Sequence, residues 1–419
     1  MPGRRPRALA QRSAREWIAR SLLASGLTAL AYLGVADSLA QTISSRDAAQ
    51  AHLLAPWNGV ITAGLAEKTF AKKPAADEES AAARLARRAL RQDATAAAAL
   101  NVLGQQAQER DEALRAQNLF RYSLLLSRRE LQAQVWSIEE AANRGDVDDA
   151  LRGYDVALRT SLTARNLLFP VLASALADPR IRGGLLPVVE SKPIWAGAFV
   201  EYLASKRIAP AAAAAFFRET EDHGLPVDDD NRAALVNTLA ATEGSVPAWN
   251  YYQSFRPGVS RSRSRDPEFT LRVSTRTLFD WRASEDGRLS AAVFGSDEGG
   301  MLDFAVPPTI GGVLLSQSQL LPAGTSFLKG RSSGIDQPEG SQPYWLLKCT
   351  DGRELGRVQV PNSTVDGGRF DGKFEVPADC LEQTLQLVAR ATDAVAGVMG
   401  QINRAELVSF DRSRPEVER

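Results

Sequence analysis

Three columns of residues recur at a spacing of 34 between Ser80 and Leu162: Ala82, Ala116 and Ala150; Ala86, Phe120 and Tyr154; Ala89, Ser123 and Ala157. Within each unit the three members stand at i, i+4 and i+7, which one face of an α-helix brings together. A fixed period of this length is the signature of stacked helical hairpins, because one hairpin cannot bury its apolar face alone. The intervening residues fit the plan. A first helix is expected to end near Arg110 and the next to open at Asp111 or Glu112, and Gly145-Asp146 marks the following tight turn.

The hairpins resemble the tetratricopeptide-repeat family. Leu103-Gly104 supplies the leucine-glycine pair of the first helix, and Ala116, Phe120 and Ser123 supply the small-aromatic-small series of the second, as do Ala150, Tyr154 and Ala157. Ser137-Ile138 departs from the Leu-Gly pair, and Arg128 and Leu162 replace the closing proline. The resemblance covers residues 78–165 and weakens outside them. It implies a solenoid whose first helices line a concave, protein-binding wall. On this chain that wall would present Asn101, Gln105, Gln108, Glu109, Gln132, Glu139 and Asn143, side chains that donate and accept hydrogen bonds to an extended peptide. The family's basic clamp for carboxylate tails is absent.

Helical patterns continue to Pro257 over 164–177, 181–190, 194–206, 210–223, 229–243 and 247–255, with Asp228-Asp-Asp230 as a helix start. Residues 258–268 alternate arginine with serine, a composition expected to form a solvated connector. Beyond it the texture turns to period two. Phe269, Leu271 and Val273 alternate with polar residues, and ten short strands are expected between turns such as Asp286-Gly287, Asp351-Gly352 and Asp371-Gly372. So many short strands in residues 269–412 predict an antiparallel β-sandwich of jelly-roll type.

The succession LLPAGTSFLKGRSS, YWLLKCTDGREL, FEVPADCLEQTLQLVAR and INRAELVSF resembles the jelly roll of non-catalytic carbohydrate-binding modules. That resemblance implies glycan contact through surface aromatics, for which Trp281 and Tyr344 are the candidates. Trp345 shares a strand face with Leu347 and Cys349, which places it in the core and turns Tyr344 outward.

The N-terminus carries Arg4, Arg5, Arg7, Arg12, Arg15 and Arg20 ahead of an uncharged run from Leu22 to Ala36. A basic flank before an apolar run predicts a cytoplasmic N-terminus with the bulk of the chain beyond the inner membrane. The run suits a single-pass signal anchor, residues 1–41, or a cleaved signal that leaves a soluble periplasmic protein. In that compartment Cys349 and Cys380, the only cysteines, are expected to form a disulfide.

Catalytic patterns are missing. Only His52 and His223 are present, in no metal-ligand spacing, and no nucleophile elbow, phosphate loop or zinc-protease helix occurs. Asp297 with Asp303, and Glu285 with Asp286, are the carboxylate pairs from which a glycosidase would be built, but all sit in turn-rich segments. Fifty basic residues balance fifty acidic ones, so no global field draws the chain to nucleic acid. The sequence therefore predicts a multidomain α + β protein: an anchor helix, a helical solenoid over 42–257, the connector, a β-sandwich over 269–412 and a tail of 413–419. The expected role is a non-enzymatic, cofactor-free envelope scaffold that binds protein, serving exopolysaccharide or envelope assembly. The alternative is a glycan-binding or glycan-active protein working through the sandwich.

Overall fold

The computed structural model describes residues 14–296, 299–393, 395 and 397–410; Arg4, Arg5, Arg7, Arg12, Asp297 and the tail at 413–419 lie outside them. The chain forms fourteen α-helices followed by two antiparallel sheets among the described residues, and it divides into two compact units at Leu168/Phe169.

The first unit begins with α1 (Ala14–Ile43), 30 residues or about 45 Å at 1.5 Å per residue, with an 18-residue stretch of mean hydropathy 1.5 inside it. This helix is long and apolar enough to cross a membrane, and Trp17, Leu22, Leu23, Leu30 and Val35 stand exposed along it. Its C-terminal end is not free. Ala40 packs with Ala51, Ala55 and Ile61, and Asp37 accepts a hydrogen bond from Asn58 at 2.6 Å. Those partners belong to α2 (Ala48–Leu54), capped by Asp47, and α3 (Gly59–Lys72), capped by Asn58.

Five helices follow: α4 (Ala81–Gln92), α5 (Ala97–Glu109), α6 (Ala113–Leu126), α7 (Leu131–Asn143) and α8 (Val147–Thr160). They pair in sequence, α3 with α4, α5 with α6 and α7 with α8. α7 starts 34 residues after α5, and α8 starts 34 after α6. All nine residues of the repeating columns are buried. A β-carbon on Gly104 would stand 2.9 Å from the Phe120 ring, so the missing side chain is what lets α5 and α6 close up.

The second unit takes up α9 (Ala164–Ala175) from Phe169, then α10 (Pro179–Glu190), α11 (Ala196–Ser205), α12 (Pro210–Asp222), α13 (Asp229–Thr242) and α14 (Ser245–Phe255). Asp228 caps α13 by accepting the Asn231 N–H at 2.8 Å.

The strands are β1 (Arg282–Ala283), β2 (Ser290–Phe294), β3 (Met301–Val306), β4 (Gly312–Gln319), β5 (Gly324–Ser333), β6 (Tyr344–Cys349), β7 (Glu354–Gln359), β8 (Arg369–Val376), β9 (Gln383–Ala389) and β10 (Val398–Ser409). One sheet runs β1-β4-β9-β6-β7, the other β2-β3-β10-β5-β8. Between them lie Trp281, Trp345, Phe304, Phe370, Phe374 and a shell of leucines. Cys349 and Cys380 form the disulfide, S–S 2.03 Å. Phe269, Leu271 and Val273 form no strand; Phe269 adopts φ 56° and its ring enters the core.

The expected solvated connector is a packed element instead. β3 pairs with β10 only through Ile402, and beyond that point residues 262–267 occupy the same lane. Ser264 donates to Leu407 O at 2.8 Å, Ser409 donates to Ser262 O at 2.7 Å, and Ala405 donates to Pro267 O at 2.9 Å. Leaving that half of β10 bare would expose unpaired backbone groups. Arg265 turns inward and is buried. Its guanidinium donates to Phe279 O (2.9 Å), Gln319 Oε1 (2.7 Å) and Ser318 O, and it lies over the rings of Trp249 and Phe279. Burial lowers its pKa to about 10, still cationic at neutral pH. Beside it, buried Asp280 accepts from the Tyr252 hydroxyl and from Thr277, and Asn237 of α13 exchanges hydrogen bonds with Leu278 and Arg276. Thus α13, α14 and the sandwich share one interior.

Candidate functional site

The expected amide wall lies on α5 and α7, and its members divide. Asn101 is 2% exposed and donates to Glu130 Oε2 at 2.8 Å, so it braces the joint between hairpins. Gln105 donates to Gln132 Oε1 at 3.0 Å, linking the two helices at the surface. Gln108, Glu109, Glu139 and Asn143 are exposed. Sequence reasoning missed two acids here. Burial, reinforced by the charge of Glu67, holds the Glu130 carboxyl above its ordinary range, and burial does the same to Glu67. Burial, then the charge of Glu139, pushes the Tyr154 hydroxyl up to about 12.

Trp281, offered as a glycan contact, is wholly buried. Its ring packs between Phe269 and Trp345 and its indole N–H donates to Asp266 O at 2.8 Å. It sits just before β1, where the chain turns into the sandwich, so it is a core anchor and unavailable to a sugar. Tyr344, in contrast, opens β6 on the outer face of its sheet and is half-buried. Cross-strand it faces Val388 of β9 and Gln359 of β7. The guanidinium carbons of Arg357 and Arg390 lie 5.0 and 4.8 Å from its ring centroid. Arg390 also donates to Gln359 Oε1 and Gly340 O, both at 3.3 Å, while Glu354 holds Arg357.

Parity and register place Thr384, Gln386, Ser316, Ser318 and Lys348 on the same outer face. The arrangement is an aromatic ring edged by fixed N–H donors on a mostly polar sheet face that also carries Leu346 and Val388. It suits an oxygen-rich ligand, with the arginines adding a preference for oxyanions. Of the carboxylates paired in the sequence, Asp286 holds Arg288 and Asp303 accepts from Gln401 at 3.0 Å, while Asp297 lies outside the described residues. Among the described residues no group of three or more metal-ligating side chains occurs.

No protein family matches the chain, and no curated protein does. Solved structures match part of it. A galactotriose-bound carbohydrate-binding module, TmCBM61, is 16% identical over 37% of this chain and 99% of its own, with a TM-score of 0.25. The cellobiose-bound CsCBM6-3 module of Clostridium stercorarium is 11% identical over 32% of this chain and 95% of its own, TM-score 0.20. The bacteriophage CBA120 tailspike protein 4 domain is 12% identical over 36% of this chain, TM-score 0.25, and the chain spans only 21% of its length. At these values the likeness carries no argument about fold, ligand or site.

Proposed function

We infer that the protein is a non-enzymatic envelope protein that binds polysaccharide through its β-sandwich. It is held at the inner membrane by α1, with its N-terminus cytoplasmic and its bulk periplasmic. The observation that carries this reading is the outer face of the β1-β4-β9-β6-β7 sheet, where Tyr344 stands between Arg357 and Arg390. Affinity electrophoresis of the full chain through gels containing neutral or acidic polysaccharide tests it. Wild type is expected to be retarded, and Tyr344→Ala with Arg390→Gln to lose most of that retardation. A wild type that migrates unchanged through every polymer would overturn the reading.

A second role, protein binding in exopolysaccharide or envelope assembly, is supported by the exposed Gln108, Glu109, Glu139 and Asn143 on the hairpin helices. A pull-down from envelope membranes with these four replaced by alanine tests it; equal recovery of partners would refute it.

A further inference from the structure

The opposite sheet carries a second polar feature that neither resemblance points to. Where β5 ends, a cleft of about 460 Å³ opens among Arg331, Ser332, Ser333, Ser363 and Asn403, with Gly334 and Gly367 forming its backbone rim. Its size falls in the range of about 300–1,000 Å³ usual for small-ligand sites. The fold explains its shape. β10 shifts register between Ile402 and Arg404, which brings Asn403 toward Ser333, and the turn before β8 approaches from the other side.

The register also sets three arginines side by side. Arg404 of β10 pairs with Arg331 of β5, which pairs with Arg369 of β8. Like charges directly opposite one another across strands repel. The outer two are neutralised, Arg404 by Glu268 and Glu406 and Arg369 by Asp366. Arg331 has no acidic partner among the described residues, and it is the one that lines the cleft.

The polar groups around it are hydroxyls and amides. The Ser333 hydroxyl lies 3.0 Å from Asn403 Oδ1 and 3.2 Å from Gln401 Oε1. Ser332 donates to Gly368 O, and Ser363 accepts the Ile335 N–H. A free guanidinium offers a planar fork that matches a carboxylate in bidentate fashion. Serine and asparagine side chains beside it both donate and accept, which matches ring hydroxyls. An apolar lining, which an acyl chain or an aromatic ligand would need, is missing.

We propose that this cleft binds an acidic saccharide unit, its carboxylate on Arg331 and its hydroxyls on Ser333 and Asn403. The proposal rests on the glycan-binding reading and adds a second, charge-selective site on the other sheet. It is tested with the purified full chain in detergent, titrated with polygalacturonate, methyl-esterified polygalacturonate and polyglutamate. The variants are Arg331→Gln, Arg331→Glu, Tyr344→Ala and, as a charge-matched control, Arg180→Gln.

Wild type is expected to prefer polygalacturonate to its ester at least tenfold in 50 mM salt. Arg331→Gln should cut that preference several-fold, Arg331→Glu should cut it further, and Arg180→Gln should keep it, while Tyr344→Ala should weaken binding of acid and ester alike. Affinity for the ester should not change in either Arg331 variant. Equal preference in wild type and Arg331→Gln would overturn the site while leaving the glycan reading standing. Equal affinity for polyglutamate and polygalacturonate would overturn the saccharide assignment. A wild type that binds none of the polymers would overturn both.

Discussion

Along α4, α6 and α8 seven of the nine buried column positions are alanine or serine, whereas the core cluster between the two sheets is mostly leucine, valine, phenylalanine and tryptophan, with Ala389 and Ala405 its only small residues. The two regions reach close packing from opposite directions. In the hairpins small residues let helices approach until a single extra carbon would collide: Gly104 against Phe120, and Gly153 against Ile138, where the added carbon would stand 2.7 Å from Cγ1. In the sandwich, sheets about 10 Å apart leave a gap that only large side chains fill. The hairpin unit should therefore fail by overpacking and the sandwich by cavities.

Trp345→Ala should break the sandwich side most severely. Trp345 is fully buried against Trp281 and Phe370, and removing such a ring typically costs about 3–5 kcal/mol. Urea unfolding followed by near-UV circular dichroism reads the loss; a cost below about 1 kcal/mol would mean the core is looser than its burial implies. Next comes Cys349→Ser with Cys380→Ser. Their bond closes 31 residues, for which loop-closure entropy gives about 3–4 kcal/mol. Reducing agent should reproduce the effect in wild type and do nothing to the variant.

The hairpin side is sharpened by a pair of identical substitutions. Gly→Ala inside a helix ordinarily gains about 1 kcal/mol. Gly64 of α3 has open space where a β-carbon would go, so Gly64→Ala should stabilise by roughly that amount. Gly104→Ala meets the tip of the Phe120 ring, its Cζ and both Cε atoms, at 2.9 to 3.1 Å, and overpacking of this kind costs about 1–3 kcal/mol. Its net effect should be zero to destabilising. Equal stabilisation of both variants by thermal melting would show that the α5–α6 contact is adjustable and that the comparison is wrong.

What was legible follows the same division. Period and turn signals predicted the number of strands and placed the helices after Ala164 to within a few residues, because each depends on neighbours a few positions away. The residues misread were those whose surroundings come from far along the chain. Arg265 sits in an Arg/Ser run, and nothing local reveals that Ser318 and Gln319, more than fifty residues on, would satisfy its guanidinium. Trp281 looked like a surface aromatic, but it precedes a strand of only two residues, Arg282–Ala283, and its ring is placed by Asp266 and Trp345 instead. The file of Arg404, Arg331 and Arg369 is invisible until strand register sets them abreast. Glu130 belongs with these, since its environment depends on Glu67 of α3 and Asn101 of α5.

Glu130 supplies the smallest prediction and the one that probes the hairpin unit without altering its packing. Burial and the Glu67 charge raise its pKa above the ordinary value of 4.5, so the folded chain binds this proton more tightly than the unfolded chain. By linkage its contribution favours folding most below pH 4.5 and is lost as pH rises from there through the raised value. Glu130→Gln keeps an acceptor for Asn101 and removes the titration. Many surface carboxylates, Glu112 and Asp286 among them, are lowered by arginine partners and slope the other way, but they are common to both proteins and cancel in the difference. The variant should therefore melt higher than wild type by on the order of a degree or two at pH 7, with the gap closing as pH falls toward 4. A gap that stays constant with pH would show that Asn101 and Glu130 meet without the desolvation that the joint between hairpins imposes.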